Sequence, residues 1–229
     1  MTGRAVSSLL LFLSASQFAN AGTSAVNFEV PAFRAQPNSG FAGWENFTVP
    51  FGGPNFADVA GTTLPTASIV QTVAPDFSTP PGILISGAGN LYSGFQNMNL
   101  ILSTSVAQPL TNVTIQTRTL GSEWNYGLIV LSYIDGQGAP QSIPPGTATE
   151  LFRQAGPPIF GNPTVNVETR FDWDLSGLSD QITSFSVRFT HSGQHLSLDR
   201  LELDTLSIPS PGTLALAPIG LMAIRRRRS

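Results

Sequence analysis

The sequence contains no cysteine and no lysine. Without cysteine there is no disulfide framework, no thiolate metal site and no cysteine nucleophile. Charge is scarce: charged residues are 11% of the 229 positions, against about 25% in an ordinary soluble domain. Coiled coils and long charged helices need Glu, Lys and Arg at high density, so they are excluded. Histidine occurs only at His191 and His195. No internal repeat of about 20–50 residues stands out, which argues against a solenoid or propeller. Gly (22) and Pro (18) are plentiful instead. They cut the chain into short segments bounded by turns.

The basic residues are all arginine, and their placement matters more than their sum. Arg4 lies near the start, and Arg225, Arg226, Arg227 and Arg228 lie at the end. Between them are six arginines against all 14 acids, so the body is −8 while the whole chain is −3. An acidic body repels a phosphate backbone, and no nucleic-acid partner is expected.

Both ends read as addresses. Arg4, the apolar stretch from Ala5 to Phe18 and the A-x-A site Ala19-Asn20-Ala21 follow the order of a secretory signal peptide. Residues 1–21 are expected to be removed by signal peptidase after passage through the translocon, leaving Gly22 first. Export without cysteine means that the fold must rely on its own core. At the other end, a turn-rich hinge at Pro209-Ser210-Pro211-Gly212 precedes an apolar run from Thr213 to Ile224 and the four-Arg cluster. Twelve helical residues span about 18 Å, short of the roughly 30 Å hydrocarbon core. Pro218 interrupts the run as well. The segment 208–229 is therefore a poor permanent anchor, although the arginines would hold it positive-inside.

Pro209-Ser210-Pro211, the apolar segment and the Arg cluster together resemble the PEP-CTERM sorting signal of Gram-negative and related bacteria. Ser210 stands where that family usually has Glu. The resemblance covers Pro209 to Ser229. It implies transient anchoring in the inner membrane, processing by an exosortase, and delivery to the cell surface or an exopolysaccharide matrix. The alternative is a plain single-pass anchor.

The intervening residues 22–207 suit one all-β domain. Val113, Ile115 and Thr117 alternate with polar neighbours. Thr164 to Trp173 places Val165, Val167, Phe171 and Trp173 on one face and Glu168, Arg170 and Asp172 on the other. Ile182 to Thr190 repeats the pattern with Phe185, Val187 and Phe189. Leu196, Leu198, Leu201, Leu203 and Leu206 mark a closing strand or pair. Asn125 to Ile134 reads as a strand buried on both faces, followed by a turn at Asp135-Gly136. Ser24 to Val30, Phe41 to Val49, Ala67 to Val73, Gly82 to Ser86 and Met98 to Ser103 are further candidates. Eight or more short strands at this spacing predict a β-sandwich, jelly-roll-like in preference to immunoglobulin-like.

The opening Val26-Asn27-Phe28-Glu29 and the closing segment Leu198 to Ile208 are similar to the ends of galactose-binding-like jelly rolls, a family that includes carbohydrate-binding modules. The resemblance implies pairing of the first and last strands around a structural calcium. Glu29 and Asp204 match that position, since calcium takes six to eight oxygen ligands.

No familiar catalytic constellation is present. There is no G-x-S-x-G nucleophile elbow. Ser86-Gly87-Ala88-Gly89-Asn90 carries only G-x-G and reads as a loop. Asp172 with Asp174, and Glu202 with Asp204, have the i, i+2 spacing that puts two carboxylates on one strand face, as glycoside hydrolysis could use. Such acids are also the ordinary solvated face of a sheet. His191 and His195, with Asp199 nearby, could offer a metal site; Ser192-Gly193 between them indicates exposed turn histidines instead. Trp44, Trp124, Tyr92, Tyr126 and Tyr133 are the rings available for sugar stacking or for the core, with the core favoured for each. The expectation is a non-enzymatic surface or matrix protein with a structural or adhesive sandwich. The alternative is a carbohydrate-binding module for exopolysaccharide, and a glycan hydrolase ranks below both.

Overall fold

Apolar residues at every second position leave this chain one way to make a core, which is to lay two sheets face to face. The computed structural model describes residues 26–75, 82–159 and 161–208. Residues Ala19, Ala21 and Gly22, the motif Pro209-Ser210-Pro211 and Arg225 to Arg228 lie outside the described residues, and so does the expected C-terminal sorting helix. Among the described residues no helix is long and apolar enough to cross a membrane.

The described residues form an all-β sandwich of thirteen strands: β1 (Ser39–Trp44), β2 (Pro54–Phe56), β3 (Ser68–Gln71), β4 (Ile83–Ile85), β5 (Leu91–Ser93), β6 (Met98–Ser105), β7 (Leu110–Gly121), β8 (Val130–Ile134), β9 (Pro140–Ile143), β10 (Thr147–Ile159), β11 (Asn162–Asp174), β12 (Ser184–His191) and β13 (Leu196–Ser207). Sheet A runs β10-β11-β7-β13-β5-β4, with β1 beside β13. Sheet B runs β2-β3-β6-β12-β8-β9. The first strand pairs antiparallel with the last, Ser39 opposite Leu206 and Trp44 opposite Leu201.

The core lies between the sheets. Sheet A contributes Trp44, Val113, Ile115, Phe171, Trp173, Leu201 and Leu203; sheet B contributes Ile69, Leu100, Leu102, Leu131, Phe185, Val187 and Phe189. Phe171 and Phe189 meet edge to face across the gap, with centroids 6.0 Å apart. Leu198 and Leu201 are three apart yet both point inward. The register shift between Leu198 and Arg200 resolves this, because a bulge at Asp199 resets the alternation. The leucine run is therefore one strand rather than a pair.

Two expectations are corrected, and one strand is new. Residues 26–30 form no strand; they belong to a segment lying on the outer face of sheet A, where the Asn27 and Glu29 amides donate to Glu168 and Gln116. The stretch Asn125 to Ile134 is a 3-10 turn over Tyr126–Leu128 followed by β8. Leu128 and Ile134 are exposed, so it is not buried on both faces. The strand β10 went unforeseen. It is mostly exposed and exists by pairing with β11, so it carries no apolar period of its own.

Candidate functional site

Three outward acids of sheet A do not face water. Glu168, Glu202 and Asp204 point away from the core, yet all three are buried, Asp204 completely at 0% exposure. The segment from Val26 to Asn38 covers them. Arg34 donates to both Asp204 oxygens at 2.5 and 2.7 Å and to Glu202 at 2.6 Å. Gln116 holds the segment by donating to the Glu29 carbonyl and accepting from the Glu29 amide. Arg170 binds Asp172 at 2.9 Å and Glu29 at 3.2 Å. Arg118 lies 3.2 Å from Asp199, and Arg200 pairs with Glu202 and Glu45. Burial pushes the Asp204 and Asp199 carboxyls up, against the pull of Arg34 and Arg118.

This network decides where the candidate acids go. Glu29 and Asp204 share a face but answer different arginines. Among the described residues, no group of three His, Asp or Glu is placed to hold a metal ion. Asp172 is held by Arg170, whereas Asp174 accepts from the Ser176 amide and hydroxyl. None of Asp172, Asp174, Glu202 and Asp204 lines either of two surface cavities. One, of about 350 Å³, is walled by uncharged residues, among them Thr63, Leu64, Thr66, Ser105, Gln108 and Thr205. The other, of about 300 Å³, lies by Gly121, Asn162, Thr164, Gln194 and His195.

The histidines are not exposed turn residues. His191 and His195 are 4% and 3% exposed. The Nδ1 of His191 is 3.0 Å from the Glu123 carbonyl, and that of His195 is 2.9 Å from the Tyr92 hydroxyl. Burial lowers both imidazoles below the ordinary histidine value and pushes the Tyr92 phenol up to about 12. Gly121 has φ +88°, and any side chain there would strike the His195 carbonyl, so only glycine fits. Trp44, Trp124, Tyr92 and Tyr133 are core residues, and Tyr126 packs against the core. Ser86 to Asn90 is the turn between β4 and β5, closed by the Ser86 hydroxyl accepting from the Ala88 and Asn90 amides.

The outer face of sheet B differs in every respect. Register places Phe56, Ser68, Ser103, Ser186, Ser132 and Ser142 side by side, one from each of its six strands. At about 4.8 Å between strands this row runs about 24 Å. The adjacent row is Pro54, Val70, Ile101, Arg188 and Val130. Beyond it, Asn99 faces Thr190. None of these outward positions is an acid. Ser132 and Ser142 share a 3.0 Å hydrogen bond. Phe56 is 60% exposed at the end of the serine row. Its strand is fixed from below by buried Asn55, whose side chain accepts from the Thr48 and Val49 amides and donates to the Val49 carbonyl.

Sequence reasoning passed over this face. Each serine occupies an outward position of its own strand, which the alternation shows. That they fall in one row depends on strand order and register, which no local pattern contains.

No protein-family model matches the sequence, and no curated protein does. Among solved structures, the chain is similar to the CBM22-1 xylan-binding domain of Xyn10C from Paenibacillus barcinonensis. The identity is 12%, the match covers 74% of this chain and 94% of that one, and the TM-score is 0.35. It is also similar to TmCBM61, solved in complex with β-1,4-galactotriose, at 12% identity, 78% and 98% coverage and a TM-score of 0.27.

Proposed function

We propose that the body is a non-catalytic carbohydrate-binding sandwich of jelly-roll type that holds extracellular polysaccharide on the outer face of sheet B. One observation carries the reading: an acid-free row of five hydroxyls crosses five strands and ends at an exposed aromatic ring on the sixth. Serine hydroxyls both donate and accept, as a sugar hydroxyl does. An aromatic ring supplies a flat apolar surface for the ring C–H face of a sugar. The row suits an extended chain better than a small molecule, because it runs about 24 Å across the sheet. The non-catalytic part draws support from the acids, whose carboxylates are taken up by arginines or by a turn.

The address-like ends supply the setting. Export through the signal segment, followed by exosortase-type processing at Pro209-Ser210-Pro211, would deliver the sandwich to the cell surface or an exopolysaccharide matrix. Intact mass and fractionation in a native host test this part. Loss of both end segments supports it, and a membrane-bound chain with an intact tail overturns it.

Binding itself is tested by affinity electrophoresis and a glycan array. Phe56→Ala is expected to weaken binding about tenfold or more while leaving the melting temperature unchanged, since an exposed side chain contributes little to stability. Failure of the full chain to retain any glycan at millimolar concentration overturns the reading.

A further inference from the structure

Arg188 is the exception among the arginines of the described residues. Arg34, Arg118, Arg153, Arg170 and Arg200 each lie within an ion-pair distance of at least one carboxylate. Arg188 pairs with no acid among the described residues and is exposed. It sits in β12, a central strand of sheet B, with Ile101 and Val130 on either side in its row. A charge on an edge strand guards against aggregation; a charge in a central strand has no edge to guard. Between Ile101 and Val130 an arginine stem has apolar neighbours to rest on while its guanidinium stays in water. Ser186 and Thr190 flank it along the strand.

We propose that the polysaccharide held on sheet B carries sugar carboxylates and that Arg188 anchors them. This rests on the sugar-binding reading above and names the chemistry of its ligand. A guanidinium presents a planar fork that matches a carboxylate with two parallel hydrogen bonds. The surrounding hydroxyls are matched to the sugar's own. The acidity of the body does not oppose the encounter. Its charge network lies on the outer face of the other sheet, and the two sheets pack about 10 Å apart. The acids of that network are compensated by their own arginines: Asp204 by Arg34, Asp199 by Arg118, Asp172 by Arg170 and Glu202 by Arg200. The acid at the end of the neighbouring strand is Asp135, five residues past Val130 and so about 16 Å along β8. Its carboxylate is already engaged by the Gln137 and Ala139 amides and the Gln141 side chain. A single arginine is too sparse for a phosphate backbone, which needs several cationic contacts.

The experiment measures binding of the full chain to polygalacturonate, to the same polymer after carboxyl reduction, and to dextran sulfate. Tight, salt-sensitive binding to polygalacturonate alone is expected. Arg188→Gln should weaken it at least about tenfold, because a bidentate charged pair is lost. Arg188→Lys should restore only part of it. Equal affinity for the carboxyl-reduced polymer, with Arg188→Gln indifferent, overturns the anchor and leaves the sugar-binding reading standing. Equal affinity for dextran sulfate marks general polyanion attraction and overturns the carboxylate assignment. No binding to these polymers or to any other glycan removes both readings together.

Discussion

The two outer faces of this sandwich are built on the same strand alternation and end in opposite states. On sheet A the outward positions are acids and arginines, and a chain segment closes over them. On sheet B they are serines, threonines and aliphatic residues, and they stay open around an arginine that pairs with no acid among the described residues. A charged face can be sealed only if each charge finds a partner, because an uncompensated buried ion is strongly destabilising. Arg118, Arg170 and Arg200 of the sheet and Arg34 of the covering segment supply those partners. The open face needs no such closure, and its hydroxyls remain available to an outside ligand. Charge density, in this molecule, marks the side that holds itself together.

The largest expected effect comes from breaking the sealed face. Arg34→Ala leaves Asp204 and Glu202 buried beside one another with their shared cation gone. A loss of about 3 kcal/mol is expected in urea denaturation. Replacing Arg34, Glu202 and Asp204 together by apolar residues of similar size should cost much less, and a triple variant as unstable as Arg34→Ala would refute the pairing account. On the open face, Ser103→Asp with Ser186→Asp places two carboxylates beside Arg188. Binding to polygalacturonate should fall by more than tenfold in affinity electrophoresis, with the far-UV circular dichroism spectrum preserved.

A smaller effect concerns pH. Burial holds His191 and His195 below the ordinary histidine value of 6.5 in the folded state. The unfolded chain therefore binds more protons just below that value, and stability should fall as pH drops through it. Each histidine contributes a slope of at most about 1.4 kcal/mol per pH unit. Asp199 and Asp204 act with the opposite sign, since raised carboxyls bind protons more readily in the folded state. The difference in pH slope between the wild type and His191→Gln isolates the imidazole; identical slopes would discount it. The smallest effect is on the exposed rim of sheet A. Glu150→Gln removes an exposed partner of Arg153. It should change stability by less than about 0.5 kcal/mol, and glycan binding not at all.

How far the sequence could be read follows the same division. The core face of each strand was legible: Phe171 and Trp173, or Val187 and Phe189, sit where alternation puts them. The fate of the opposite face was not. Glu202 and Asp204 read as a solvated surface because alternation distinguishes core from not-core, and cannot see a segment arriving from 170 residues away. That segment has no period of its own, so its opening residues passed for a strand. His191 and His195 flank a glycine turn and look exposed; their burial depends on Glu123 and Tyr92, which are distant in sequence. The rings named for stacking went to the core, while Phe56, an exposed ring, lies in a three-residue strand too short to show a pattern.

The clasp over sheet A also orders events in time. Arg34 answers Asp204 across 170 residues, and Asn27 answers Glu168 across 141. The closing strand β13 lies between β7 on one side and β1 and β5 on the other. Contacts this distant in sequence make folding slow. A chain emerging from its N-terminus cannot complete sheet A until residues 196–207 have appeared, so the sandwich assembles only after the chain has been made through β13. A chain truncated before Leu196 has no partner for Arg34 and no seam to join the two halves of its larger sheet.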